Sequence, residues 1–324
     1  MIEVAGLRKT YAGFPAVVDA SFEVEPGEVF GIVGPNGAGK TTTLKMLAGL
    51  VEPTAGTATV AGYDAEDSAM RRLLGYLPEE SPLYEDMTPR SYLRFFADLY
   101  GVDREVADER IADSLDRLEL EYRDRRIGDM SKGMKRKVAI TRSLVNDPDV
   151  LLYDEPASGL DPLTTNYVLE FTRDLRNRGK TVVFSAHNLY HVESVCDRVI
   201  IMNEGEIVAR GTVPEIRAEH GETRYHVYTD VPVEGAAPID GRSADGAERV
   251  DPGAIESTVG NTGGGERRFR VVCADMDGVE SARERIAEAG GSVLDIRTRE
   301  SSLEDVFLEL ADRSVDGERA GAAR

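Results

Sequence analysis

Apolar and polar positions change period several times along the chain. Val29-Phe30-Gly31-Ile32-Val33, Val150-Leu151-Leu152-Tyr153 and Thr181-Val182-Val183-Phe184 are short apolar runs with little alternation. Such runs predict strands covered on both faces, as in a parallel sheet lying between helices. Thr42 to Leu50 has helical character, while Ile2 to Val4 and Thr57 to Val60 predict antiparallel edge strands. From 89 to about 145 the period becomes helical. Tyr92, Phe95, Phe96 and Leu99 recur at helical spacing over Arg90 to Tyr100, with Pro89 suited to a first turn. Glu105 to Leu120 repeats the pattern with Ile111, Leu115 and Leu118. Both stripes predict core faces, so residues 1–215 read as one α/β domain.

The pattern changes after about residue 218. Residues 230–266 are rich in Gly, Pro, Asp, Ala and Ser and include Gly263-Gly264-Gly265, which predicts loop. Arg267 to Ala274 and Ser292 to Thr298 read as strands, with a helix from Val279 to Ala289 between them. A last helix over Leu303 to Leu310 gathers Leu303, Val306, Phe307 and Leu310 on one face, and Ser301 with Glu304 predicts a capping box at its start. A small α+β domain is therefore expected over 219–312, followed by a flexible polar tail over 313–324.

Charge narrows the functional classes. The 324 residues include 59 Asp and Glu against 39 Lys and Arg, a formal charge of -20. That balance argues against nucleic acid as a partner, because nucleic-acid binding rests on cations that neutralise phosphates. The acids are spread along the chain, which reads either as a surface that stays soluble in a salt-rich cytosol or as an ordinary acidic protein. Two cysteines, Cys196 and Cys273, make no disulfide framework. Met1-Ile2-Glu3-Val4 lacks the start of a signal peptide, and no apolar run approaches the ~18 residues that span a bilayer. The expectation is a cytosolic protein without a membrane pore of its own.

The chemistry begins at Gly34-Pro35-Asn36-Gly37-Ala38-Gly39-Lys40-Thr41, which fits G-x-x-x-x-G-K-[ST] between a strand and a helix. The glycines let backbone N–H groups curl toward phosphates, and the helix start adds its positive dipole end. Lys40 is placed to reach the β- and γ-phosphates, and the Thr41 hydroxyl to ligate Mg²⁺. Val150 to Tyr153 ends in Asp154-Glu155, beyond the carboxyl end of a parallel strand, where ligands bind. Asp154 is thus expected near the metal, and Glu155 facing the γ-phosphate to orient or deprotonate a water. Ser131-Lys132-Gly133 opens a basic helix, which reads either as an anion site or as a capped helix with a solvated basic face. His187 follows another apolar strand and can donate to the γ-phosphate. His191, four residues on, has metal-ligand spacing but no third ligand, and reads as structural.

Taken in order, the phosphate loop, Leu77-Pro78-Glu79, Ser131-Lys132-Gly133-Met134, Tyr153-Asp154-Glu155-Pro156, Ser158-Gly159-Leu160-Asp161 and His187 resemble the ATP-binding subunits of ABC transporters. The resemblance covers residues 1 to about 215. It implies a P-loop NTPase of ABC type, with a mixed sheet core, an antiparallel β subdomain and a helical subdomain over about 82–145. It implies that Tyr11 stacks on adenine, and that Gly34, Pro35, Asn36, Gly37, Ala38, Gly39, Lys40, Thr41 and Thr42 hold ATP. Thr41, Glu79 and Asp154 are implied to serve Mg²⁺, Glu155 to be the catalytic glutamate, and His187 the switch histidine. Ser131 and Gly133 of the signature, with Asp161 of the D-loop, are implied to reach ATP and partner across a dimer. Two departures stand out. Glu79 occupies a position where the family usually has Gln, and Met130-Ser131-Lys132-Gly133-Met134 replaces the usual Leu-Ser-Gly-Gly-Gln.

Ser301 to Phe307 resembles the ending of ATPase subunits from ABC-2-type exporters of the drug-resistance and sodium-export groups. The resemblance thus implies an ATPase at the cytoplasmic face of a membrane, energising a separate permease and pairing with a second ATPase subunit, a homodimer before a heterodimer. Two other readings fit less. Non-transport ABC factors of translation or repair usually carry two ATPase halves or a coiled coil, and this chain has one phosphate loop and no sustained heptads. A GTPase would need Asn-Lys-x-Asp, which is absent.

Overall fold

The computed structural model describes residues 1–221, 223–239, 268–308 and 310. In chain order the first part runs β1 (Ile2–Tyr11), β2 (Phe14–Val24), β3 (Val29–Val33), α1 (Lys40–Leu47), β4 (Ala55–Val60), β5 (Tyr63–Asp64) and β6 (Leu74–Leu77). Three helices follow: α2 (Pro89–Tyr100), α3 (Arg104–Arg117) and α4 (Lys132–Arg142). The chain then returns to the sheet with β7 (Val150–Tyr153), α5 (Pro162–Asn177), β8 (Thr181–Ala186), α6 (Leu189–Val195), β9 (Arg198–Asn203), β10 (Glu206–Gly211) and α7 (Val213–His220).

These strands form one sheet in the order β5-β4-β1-β2-β10-β9-β3-β8-β7-β6. β6, β7, β8, β3 and β9 run parallel, and every residue of β3, β7 and β8 is buried. That is why these runs carry no polar face: helices cover both sides of the sheet. Because the strands are parallel, the carboxyl ends of β3, β7 and β8 lie at one end of the sheet, and each hands the chain to a site residue.

The N-terminal strands depart from expectation in one respect. They are antiparallel, but β1 lies between β2 and β4 and is ten residues long, so it is not an edge. Its alternation places Ile2, Val4 and Leu7 in the core under the hairpin. The edge beside β4 is the two-residue β5.

The helices α2, α3 and α4 share a core of their own, built on Tyr92, Leu93, Ala97, Ile111, Leu115, Leu120, Ile127 and Val138. On α2 the buried stripe is centred between Tyr92–Phe96 and Leu93–Ala97. Phe95 and Leu99 fall at its margin and are 39% and 66% exposed, against the expectation that both are core. Thr88 starts α2 with a reciprocal capping box to Ser91, and Pro89 follows in the first turn.

Arg217–Asp305 makes a second compact unit; the first is Met1–Ile216 with the described residues from Val306 onward. The second contains β11 (Thr223–Thr229), β12 (Ala236–Ile239), β13 (Arg268–Cys273), α8 (Met276–Glu288) and β14 (Val293–Glu300). Its antiparallel sheet has the order β12-β13-β11-β14. α8 packs on one face through Val279, Ala282 and Ile286 against Val227, Val271 and Cys273. β12 lies inside the stretch whose composition predicts loop, and β11 is a strand that the sequence pattern does not announce. Residues 303–308 are helical, but the capping pair is Ser302 with Asp305, one position beyond the expected Ser301 and Glu304. Gly263 to Gly265 and the tail over 313–324 lie outside the described residues.

Candidate ATP site

β3 ends at Val33, and residues 34–39 turn back before α1 opens at Lys40. Gly34, Gly37 and Gly39 have φ of +154°, +88° and +100°, a region L side chains rarely adopt. A Cβ on Gly39 would also stand 2.6 Å from the Ala16 carbonyl oxygen. The ammonium of Lys40 is buried and tethered within the loop. Its Nζ donates to the carbonyls of Gly34 (2.8 Å) and Pro35 (3.1 Å) and lies 3.5 Å from Glu155 Oε1. Asn36 and Gly37 are exposed, Ala38 is buried, and Thr42 is half-buried on α1.

Across the sheet end, Thr41 Oγ1 donates to Asp154 Oδ1 at 3.1 Å. The same oxygen accepts from Ser185 Oγ at 2.7 Å. Asp154 Oδ2 is buried with no hydrogen-bond partner among the described residues. Tyr76 of β6 lies near, and burial followed by the Asp154 charge pushes its hydroxyl up to about 12. Glu155 sits in left-handed backbone at φ 47°, a strained geometry for a non-glycine residue. Its N–H donates to Ser185 Oγ at 2.9 Å, and its Oε2 lies 2.8 Å from His187 Nδ1. With Glu155 ionised, the ring nitrogen is the donor in that bond. Lys40, Thr41, Asp154, Glu155 and His187 thus meet where β3, β7 and β8 end.

The other expected residues occupy different places. Ser131 is the N-cap of α4, its hydroxyl accepting from Met134 N–H at 3.2 Å. Gly133 is buried so close to Thr164 that a Cβ would stand 2.9 Å from Thr164 Oγ1. Asp161 caps α5, accepting from Thr164 N–H (3.0 Å) and Thr164 Oγ1 (2.7 Å), and these bonds hold its carboxyl below the usual range. Thr164 therefore joins Gly133 to Asp161, and Ser131 lies two residues before Gly133 at the start of the same helix. Tyr11 ends β1 as a residue 43% exposed, with the Lys9 ammonium 5.1 Å from its ring centroid. Glu79 exposes its side chain and is held through its carbonyl. His191 borders a cleft of about 490 Å³ with Glu155, Ser158 and His187, and burial followed by the His187 charge lowers its pKa.

Sequence comparison gives this geometry a family. Residues 17–158 match the ABC transporter family. Over 225 residues the chain is 41% identical to the ABC transporter ATP-binding protein NatA of Bacillus subtilis, covering 68% of this chain and 92% of that one. The chain belongs to the ATP-binding subunits of ABC transporters. It is also 36% identical over 318 residues to the Nod factor export ATP-binding protein I of Burkholderia pseudomallei, covering 97% of this chain and 98% of that one. A solved dimeric ATP-binding cassette in a post-hydrolysis state, bound to ADP and Pi, aligns with a TM-score of 0.61 at 25% identity, covering 65% of this chain and 98% of that one. The protein is thus an ABC transporter ATPase.

Two site residues give no signal of their role in the sequence. Ser185 is the one hydroxyl residue near the end of the buried run Val182 to Ala186, and its value to Asp154 and Glu155 comes from β7 and β8 being neighbours. The sequence places Arg136 in a helix whose basic side chains are either anion-binding or solvated. Arg136 and Lys137 are instead both 7% exposed. Arg136 is spent on backbone carbonyls, and Lys137 lies over the Tyr167 ring with its Nζ 4.5 Å from the centroid.

Proposed function

We propose that this ATPase drives export through a separate membrane permease, hydrolysing ATP held between two copies of itself. The observation that carries the reading is the meeting of Lys40, Glu155 and His187: Lys40 Nζ lies 3.5 Å and His187 Nδ1 2.8 Å from the two oxygens of one carboxylate. A γ-phosphate placed over the loop meets the Lys40 charge on one side. Glu155 on the other side orients an in-line water and draws its proton, while His187 fixes the carboxylate and offers a donor to the phosphate. Strain at Glu155 suits such a role, because a left-handed non-glycine residue persists only where the surrounding structure holds it.

The residues also fit Mg²⁺. Thr41 supplies a hydroxyl, Asp154 supplies one carboxylate, and the buried Asp154 Oδ2 has no hydrogen-bond partner among the described residues. No group of three or more His, Cys, Asp or Glu suited to a metal occurs among the described residues. A single carboxylate with a hydroxyl and phosphate oxygens is how proteins commonly hold this ion. Bound there, Mg²⁺ supplies charge neutralisation to the phosphates. Glu79 is assigned to the same ion through water, and Tyr11 to adenine.

Export is supported by the likeness to a Nod factor export subunit, which runs through both compact units. No helix among the described residues is long and apolar enough to cross a membrane, which agrees with a permease on another chain and a place at the membrane's cytoplasmic face. Ser131, Gly133 and Asp161 serve the partner's ATP in this reading. The domains carrying these roles are 1–215 for ATP and 219–312 for the small α+β part.

The test is solution mass by light scattering in high salt, for wild type and Glu155→Gln, with and without Mg-ATP. Glu155→Gln binds ATP, hydrolyses it at least about 100-fold more slowly, and doubles in mass only with ATP. A variant that binds ATP and stays monomeric rules out self-pairing.

A further inference from the structure

Arg136 lies one turn into α4, the helix whose N-cap is the signature serine, Ser131. Its three guanidinium nitrogens are all engaged, and by backbone. Nε donates to the Pro156 carbonyl at 2.8 Å. Nη1 donates to the carbonyls of Pro78 (2.7 Å) and Glu79 (3.0 Å) and lies 3.4 Å from Ser81 Oγ. Nη2 donates to the carbonyls of Asp154 (3.0 Å) and Glu155 (2.8 Å). One side chain therefore ties three segments: the signature helix, the stretch after β6 that carries Glu79, and the stretch after β7 that carries Asp154 and Glu155.

A packing residue would not be built this way. The cation is 7% exposed and its hydrogen bonds go to carbonyl dipoles rather than to a carboxylate. Burial pulls the guanidinium down to about 10, with the nearby Asp154, Tyr153 and Glu79 acting in the opposite sense. A buried charge that is desolvated to hold backbone is a costly way to fill space, and an apolar side chain of similar volume is often no worse for stability. What the fork achieves is geometric. A planar group with donors in fixed directions holds peptide units 78–79 and 154–156 at set angles to one helix. Glu155, whose carbonyl Nη2 holds, is where the backbone turns left-handed.

We propose that Arg136 is a positioning residue that makes Glu155 and the Glu79 segment move with the signature helix, so that ATP bound by the partner's phosphate loop sets this subunit's own general base. The inference rests on the function proposed above and extends it. Pull on Ser131 and Gly133 at the start of α4 displaces Arg136, and the five carbonyls it grips follow. The Glu79 segment then reports the same event outward, toward the permease.

The test uses the full chain with Arg136→Lys, which keeps the charge and loses the fork, and Arg136→Gln, which loses the charge and keeps two donors. Thermal melting establishes that each is folded. The expected result is a kcat lowered about tenfold or more with the ATP KM within about threefold of wild type. In the Glu155→Gln background, Arg136→Lys should still double in mass with ATP, because the signature itself is intact. Wild-type kcat in either folded variant overturns the inference. So does loss of ATP-driven mass doubling together with kcat, which would mean that Arg136 only builds the signature helix. A wild type that binds no ATP refutes the proposed function itself, and is distinguishable because it precedes any effect of Arg136.

Discussion

At the scale of single residues, the proposed ATP site is organised by small groups that hold larger ones. Ser185 is the clearest case. Its hydroxyl donates to Asp154 and accepts from the Glu155 N–H, all within the buried end of β8. Ser185→Ala leaves a buried N–H and a carboxylate oxygen each short of a partner, at a cost of about 1–3 kcal/mol. The variant is expected to unfold at lower denaturant and to lose kcat more than ATP affinity. Urea unfolding alongside steady-state kinetics checks it, and unchanged stability would show that another donor takes over. Ser185 is not legible as a site residue, because a serine in an apolar run reads as a tolerated polar residue until its neighbouring strand is known. Lys40, Asp154 and Glu155 are legible as candidates, because each stands in a local motif, the phosphate loop for Lys40 and the end of an apolar run for the two acids.

At the scale of elements, local chemistry and tertiary packing divide the work. Thr88 caps α2 through a reciprocal pair of bonds with Ser91, a signal confined to four residues. Thr88→Ala is expected to cost about 1 kcal/mol, read as a lower midpoint in chemical unfolding. Which face of α2 is buried is less legible, because Phe95 and Leu99 are as apolar as Tyr92 and Leu93 and only the packing of α3 and α4 decides between them. The small sheet shows a further effect. On the face away from α8, register sets Arg224, His226 and Tyr228 of β11 beside Arg270 of β13 and Arg297 and Arg299 of β14. Burial, then Arg270, Arg299 and Arg224, lower the His226 pKa. The folded state thus resists a proton that the unfolded state accepts. Stability from this residue is present above the unfolded value of about 6.5 and is lost as pH falls below it. His226→Gln should flatten the fall in stability between about pH 6.5 and pH 5. Unfolding curves at both pH values check it, and an unchanged slope would assign the acid sensitivity elsewhere.

At the scale of the whole molecule, net charge matters more than any single pairing. A net -20 repels itself over distances longer than any one ion pair. Exposed pairs such as Arg8–Asp19 offset little of this, since both side chains are about half exposed and well hydrated. Raising salt from about 0.1 M to about 1 M shortens the screening length from about 10 Å to about 3 Å. The thermal midpoint should rise over that range, and ATP-driven pairing of Glu155→Gln should strengthen with it. Melting curves and light scattering across the series check both, and a falling midpoint would show that attractive pairs outweigh the net repulsion.

The sequence by itself determined the chemistry and the class of fold. The phosphate loop, the acid pair after an apolar strand and the histidine after another are local patterns, each fixed by what a phosphate requires of the residues within a turn or two. The buried strands were equally plain, since a strand covered on both sides has no polar face to hide. Tertiary structure alone decided the rest. It made β1 an interior strand, set β12 within a stretch that composition reads as loop, and turned a basic helix inward so that Arg136 grips five carbonyls. Each of these depends on partners distant in the chain, and no local pattern encodes a backbone carbonyl that arrives from another strand.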